Sequence, residues 1–232
     1  MTIIKYNNSL DMLVKFEETN NIKKCAYKEF NNGHVFDNFY PSVLNIGYIG
    51  NTSIVTGAKK QEVKDSYKRW ADMLYRCYDK NLYRKNPTYI DCRVCEEWLC
   101  YANFEKWYNK NYYAVDNEKM QLDKDILIKG NKLYSPKTCV FVPQRINALF
   151  TKRGSTRGNY PIGVTYSKKN KKYEPQVQGI KWLGYYNTPE EAFVVYKENK
   201  EKYIKKIADE YKTKIPSKLY NAMYNYMVEI TD

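Results

Sequence analysis

Seven polar side chains in one short stretch carry the clearest chemistry: Lys168, Lys169, Lys171, Lys172, Gln176, Gln178 and Lys181. Ammonium groups suit phosphate oxygens and glutamine amides suit base edges, so a surface built from both fits a nucleic acid. Trp182 adds an aromatic face beside them. Just upstream, FTKRGSTRGN (150–159) holds Lys152, Arg153 and Arg157 among glycine and serine. Those cations could track phosphates through a flexible joint, or simply solvate a linker. Cys92-x2-Cys95 has the spacing of a zinc knuckle, with Cys77, Cys100 and Cys139 elsewhere in the chain. Structural zinc normally takes a second well-spaced pair, which is absent, so inert buried thiols are expected instead. The single histidine, His34, lies in the turn-forming Asn31-Asn32-Gly33-His34 and reads as an exposed loop residue rather than a catalyst.

Three strands and one helix must position the lysine-rich surface. Gly163–Ser167, Tyr173–Gly179 and Trp182–Tyr186 are the strand candidates. Tyr173, Pro175 and Val177 alternate with Glu174, Gln176 and Gln178, which gives one packed face and one wet face. Thr188-Pro189-Glu190-Glu191 reads as a helix start: a threonine N-cap, proline at the first helical position, and glutamate three residues after the cap. The following helix is expected to bury Ala192, Val195 and Tyr196, then Tyr203 and Ile207, against the sheet.

The chain of 232 residues carries 39 Lys+Arg against 26 Asp+Glu, a formal charge of +13. Thirteen basic and five acidic residues fall between Thr151 and Lys206, so much of the excess is clustered. Clustered positive charge is the footprint of a nucleic-acid binder, and the competing reading is a solvated, Lys-rich chain from an AT-rich genome. No apolar run of 18 residues marks a membrane span, and the N-terminus lacks the pattern of a signal peptide. A cytoplasmic setting with six reduced cysteines is therefore expected.

Residues 1–58 read as a β-rich region. Met12–Phe16 alternates as a strand, and Ile22–Phe30 is expected to pair with it around the turn Glu18-Thr19-Asn20-Asn21. Residues 59–150 form a middle module. Lys60–Lys80 is an amphipathic helix with Val63, Tyr67, Trp70, Met73, Leu74, Cys77 and Tyr78 on one face. Cys92–Trp107 reads as a second, largely helical segment. Strand, loop, strand and helix then follow from Leu122 to Asn147. Residues 151–159 are a basic linker and 160–232 a last module. In that module Ser217 is expected to cap a short final helix that packs Leu219, Met223, Tyr226 and Met227.

Two resemblances attach to these segments. The string PIGVTY…KKYEPQVQ…WLGYYNTPEEAFVVYKENKEKYI resembles the ERF-type (ethylene-response-factor) DNA-binding domain over about a quarter of the chain. It shares the Gly-Val opening strand, the Lys-Tyr middle strand and the Leu-Gly-x-Tyr-x-Thr-x-Glu-Glu-Ala turn into the helix. The resemblance implies a three-stranded sheet laid in the DNA major groove. Plant members read bases with several arginines and tryptophans, whereas this segment has lysines, glutamines and Trp182, so base specificity does not carry over. The middle module is similar to phage-encoded HNH homing-endonuclease-like proteins over about a third of the chain. That likeness is carried by Trp70, Met73, Arg76-Cys77-Tyr78, Cys95-Glu96-Glu97-Trp98, Phe104, Trp107 and Leu122 to Asn147. An HNH module followed by an ERF-type module is a frequent order in that group.

The HNH resemblance implies a metal site with a histidine base, a core of the form Asp-His-(x)-Asp…Asn. Here Asp123 matches the first metal ligand, Lys124 stands in the place of the base, Asp125 is the following acid, and Thr138 replaces the asparagine. A lysine serves as a base only when its pKa is depressed, and two flanking aspartates act in the opposite sense. Either no cleavage or an altered mechanism is expected. Asp123 and Asp125 could hold Mg²⁺ together with waters. Equally, Asp123, Asp125 and Asn131 could organise a tight turn through side-chain-to-backbone bonds.

The expectation is an α+β chain: a β-rich N-terminal region, a degenerate ββα-metal (HNH-like) middle module, and an ERF-like three-stranded sheet packed on a helix. Three functions stay open: a non-cleaving DNA-binding protein (RNA being the other nucleic acid), an active metal-dependent endonuclease, and a phage counter-defence protein. The last would act like an anti-CRISPR, blocking a host defence ribonucleoprotein.

Overall fold

The computed structural model describes residues 1–56, 62–151, 159–230 and 232. They make a mixed α+β chain with several small sheets and, among the described residues, seven α-helices. The chain divides into two units, Met1–Tyr112 with Asn131–Thr138, and Tyr113–Gly130 with Cys139–Asp232.

The first unit opens with an antiparallel sheet of β1 (Thr2–Asn8), β2 (Asp11–Lys15) and β3 (Ile22–Cys25), in that order. The turn expected at Glu18–Asn21 is present: the Phe16 N–H donates to the Asn21 carbonyl at 2.9 Å. Met12 and Val14 face a small core with Cys25 and Val35. The strand that begins at Ile22 stops at Cys25 instead of running to Phe30. Residues Tyr27–Asn31 coil into α1, and the Glu29 carboxylate takes the Ala26 N–H at 3.1 Å. β1 has no counterpart among the expected strands, because all seven of its residues are exposed and leave no burial pattern to read.

β4 (Val55–Thr56) pairs with β5 (Glu62–Val63), so Val63 is a strand residue and not the start of the expected helix. Lys64 is extended, and α2 begins only at Asp65 and runs to Tyr78. It buries Trp70, Met73, Leu74 and Cys77, as its spacing requires. α3 (Lys80–Lys85) follows. Cys92–Trp107 is not one helix: it divides into β6 (Arg93–Val94), a 3₁₀ turn at Glu96–Leu99, and α4 (Tyr101–Asn111). Trp70, Trp98, Tyr101 and Phe104 form a fully buried aromatic centre, where the Trp70 Nε1–H donates to the Trp98 carbonyl at 2.7 Å.

Three short strands come next: β7 (Met120–Asp123), β8 (Leu133–Tyr134) and β9 (Val140–Pro143). β8 pairs in parallel with β6, and this long-range pairing is what holds Arg93 and Val94 extended. β7 and β9 pair antiparallel and lead into α5 (Gln144–Leu149). The strand, loop, strand, helix order is therefore present, with its antiparallel pair and helix in the second unit.

In that unit β10 (Val164–Ser167) and β11 (Lys172–Pro175) form a hairpin. The third strand expected at Trp182–Tyr186 reduces to one bridge, in which Tyr173 and Tyr186 exchange backbone hydrogen bonds of 2.9 and 2.8 Å. Gly184 has φ +99, a conformation a pleated strand does not accommodate. The helix expected after Thr188 is α6 (Pro189–Tyr211). Ala192, Phe193 and Tyr196 pack with Val164, Val177 and Val228, while Val195 and Tyr203 are only half-buried. The last helix, α7 (Ser217–Tyr224), is preceded by Pro216 at the cap position, so Ser217 is its first residue and not its cap. Leu219 and Met223 are buried, but Met227 is exposed.

The two units cut across the boundaries expected at 58 and 150. The C-terminal half of α6 explains the second cut, because it is bonded to the segment before β7 and to α5. The Tyr211 hydroxyl bonds the Glu118 carboxylate, Arg145 pairs with Glu210 at 2.8 Å, and Lys214 pairs with Asp116 at 2.8 Å.

Candidate nucleic-acid interface

The β10–β11 hairpin sets its lysines by register. Tyr166 faces Tyr173 and Ser167 faces Lys172, which leaves residues 168–171 as a four-residue turn. Lys171 adopts φ +52, the left-handed conformation that closes such a turn, and Asn170 hydrogen-bonds the Ser167 hydroxyl through its Nδ2 at 3.0 Å. Lys168, Lys169 and Lys171 thus sit at the hairpin tip and not on a sheet face, with Lys172 opening β11. All four are exposed, and none has an ion pair among the described residues. Four solvated ammonium groups within five residues repel one another and gain from a polyanion.

The strand expected over Tyr173–Gly179 ends at Pro175, and Tyr173 and Glu174 are both half-buried, but from there the alternation holds: Pro175 and Val177 are buried, and Gln176 and Gln178 are exposed. Gln176, Gln178 and Lys181 border a cleft of about 710 Å³ that also touches α6. The single lysine-and-glutamine surface expected from sequence is therefore split into a basic tip and a cleft wall. Trp182 is 64% exposed and meets Tyr185, 40% exposed, edge-to-face at 6.1 Å. Tyr185 and the exposed Tyr166 are surface aromatics that sequence reasoning does not single out. In a chain with 25 tyrosines, only burial tells a surface ring from a core ring. Lys152, Arg153 and Arg157 lie outside the described residues.

The residues expected to hold metal are engaged in turns. Asp123 Oδ1 accepts the backbone N–H of Asp125 at 2.9 Å and of Ile126 at 2.7 Å. Burial and the neighbouring Asp125 carboxylate push the Asp123 carboxyl up to about 6. Lys124 is buried, and its Nζ lies 3.1 Å from Asp125 Oδ2. Asn131 closes its own turn by donating to the Leu133 carbonyl at 2.7 Å and accepting its N–H at 3.2 Å. The Thr138 hydroxyl, in the asparagine's place, donates to the Leu133 carbonyl at 2.7 Å.

None of the six cysteines is in a disulfide. Cys92 and Cys100 are buried, their thiols directed at the carbonyls of Thr88 and Ile49. Among the described residues no group of three or more His, Cys, Asp or Glu side chains is arranged to hold a metal ion. His34 is exposed beside its turn. No helix among them is long and apolar enough to cross a membrane. Compared with known proteins, the chain matches no family model, no curated protein and no solved structure.

Proposed function

We propose that the chain binds duplex DNA through the β10–β11 hairpin tip, with Trp182 and Tyr185 as neighbouring aromatic groups that meet the same duplex. The observation that carries this is the cluster Lys168, Lys169, Lys171 and Lys172, fully presented to solvent and without acidic partners among the described residues. A net charge of +13 adds long-range attraction for a polyanion. The order hairpin, then capped helix, agrees with the ERF-type resemblance. In this reading the chain is a non-cleaving relative of the HNH homing-endonuclease group, and the Asp123–Asp125 turn is structural. Two observations support that part: backbone amides bond Asp123 Oδ1, and Lys124 is ion-paired with Asp125 at 3.1 Å.

Mobility shift of supercoiled and linear duplex DNA across a salt series, with Mg²⁺, Mn²⁺ or EDTA, tests both parts. Retardation without nicking is expected. Lys168→Ala, Lys169→Ala, Lys171→Asn and Lys172→Ala together should weaken binding and reduce the log–log salt slope by roughly one for each phosphate left unneutralised. Asparagine is chosen at 171 because it tolerates positive φ. An unchanged slope would place the binding face elsewhere. Metal-dependent nicking that disappears in Asp123→Ala would overturn the structural reading of the turn.

A further inference from the structure

The cleft beside β11 has the size and lining of a ligand site. At about 710 Å³ it lies within the range of small-molecule sites. Ile162, Val164, Val177 and Ile180 make its apolar side, and Tyr196 and Tyr226 contribute rings. Gln176 and Gln178 bring side-chain amides with both donors and acceptors. From α6 comes Lys200, one turn beyond Tyr196 and therefore on the same helix face.

Lys200 is half-buried, and among the described residues it has neither an ion pair nor a hydrogen bond. Burial lowers its pKa, and no carboxylate counters that effect. Of the nearby acids, Glu174 also lines the cleft and forms no ion pair with Lys200 among the described residues, while the other two are committed elsewhere. Glu201 holds Lys197 at 2.7 Å and the Val228 N–H at 2.8 Å. Asp232 holds Lys129 at 2.8 Å. A partly desolvated ammonium without a counter-ion is costly alone and favourable once an anion joins it.

We infer that this cleft binds a nucleotide, with its phosphate on Lys200 and its base between the apolar wall and the Gln176 and Gln178 amides. A planar heterocycle fits walls of that kind, and amide side chains match base edges. The nucleotide could arrive free or as an unpaired residue of a strand, and the two sources share this chemistry. The site is distinct from the hairpin tip, so its success or failure does not follow from duplex binding.

Calorimetric titration of the full chain with a mononucleoside monophosphate, inorganic phosphate and a short single-stranded oligonucleotide provides the test. The mononucleotide should bind more tightly than inorganic phosphate. Lys200→Met should weaken it at least tenfold with no drop in melting temperature, because methionine removes a desolvated charge while keeping the stem. Lys200→Arg should retain most of the affinity, and the fourfold hairpin variant should leave it unchanged while weakening duplex binding. Tighter binding of the oligonucleotide that is equally sensitive to Lys200→Met would identify a strand as the source; tighter binding of the mononucleotide would identify the free ligand. Equal binding of phosphate and nucleotide, indifference to Lys200→Met, or no binding at all would overturn the assignment.

Discussion

Burial and Asp125 hold the Asp123 carboxyl well above the usual aspartate range, near 6. A carboxyl whose pKa is higher folded than unfolded takes up a proton more readily in the folded state. It contributes stability that is fully present below about pH 4 and is lost as pH rises through about 6. In Asp123→Asn the amide oxygen still accepts the Asp125 and Ile126 N–H groups but no longer titrates. Denaturant unfolding from pH 4 to 7 should therefore show the native chain losing on the order of 2 kcal/mol relative to this variant. Parallel stability curves would mean that Asp123 is ionised throughout that range.

At the scale of elements, α6 is held at its start by a reciprocal cap. Thr188 Oγ1 accepts the Glu191 N–H at 3.2 Å, and Glu191 Oε2 accepts the Thr188 N–H at 3.3 Å. Pro189 fills the first helical position, where no N–H is needed. Thr188→Ala should cost about 1 kcal/mol in chemical denaturation. A negligible change would show that packing of Ala192 and Phe193 alone fixes the helix end. The hairpin beside it depends on Gly163, which has φ +72 and whose missing Cβ leaves room for the Tyr196 ring. That close approach ties β10 to α6 and so sets where the lysine tip stands.

At the scale of the molecule, the second unit is built from two separated stretches of chain. α6 has 23 residues and is roughly 34 Å long. Its N-terminal half packs on the hairpin, and its C-terminal end bonds Glu118 and Arg145. Lys129 adds a second tie by binding Asp232 and lying over the Tyr226 ring at 5.2 Å. A fragment of residues 160–232 would be without these partners. It is expected to show shallow, poorly cooperative thermal unfolding by circular dichroism, whereas the full chain unfolds sharply. A sharp transition in the fragment would show that the hairpin and α6 form a self-sufficient module.

Local chemistry decided part of this protein in advance. The Thr188–Glu191 cap, the apolar face of α2 and the alternation at Pro175 and Val177 depend on neighbours within a few residues, so each is legible in sequence. The turn after Phe16 is of the same kind. What lay beyond reach depends on distant partners. β8 holds β6 extended where the local pattern suggests helix, and positive φ at Gly184 reduces a third strand to a single bridge. Asp123 carries the same ambiguity at one residue: its type suits a metal or a turn, and only the backbone amides around it show which bonds it makes. Lys200 stands out only in the fold, because an unpaired charge is a property of surroundings that segments far apart in sequence supply.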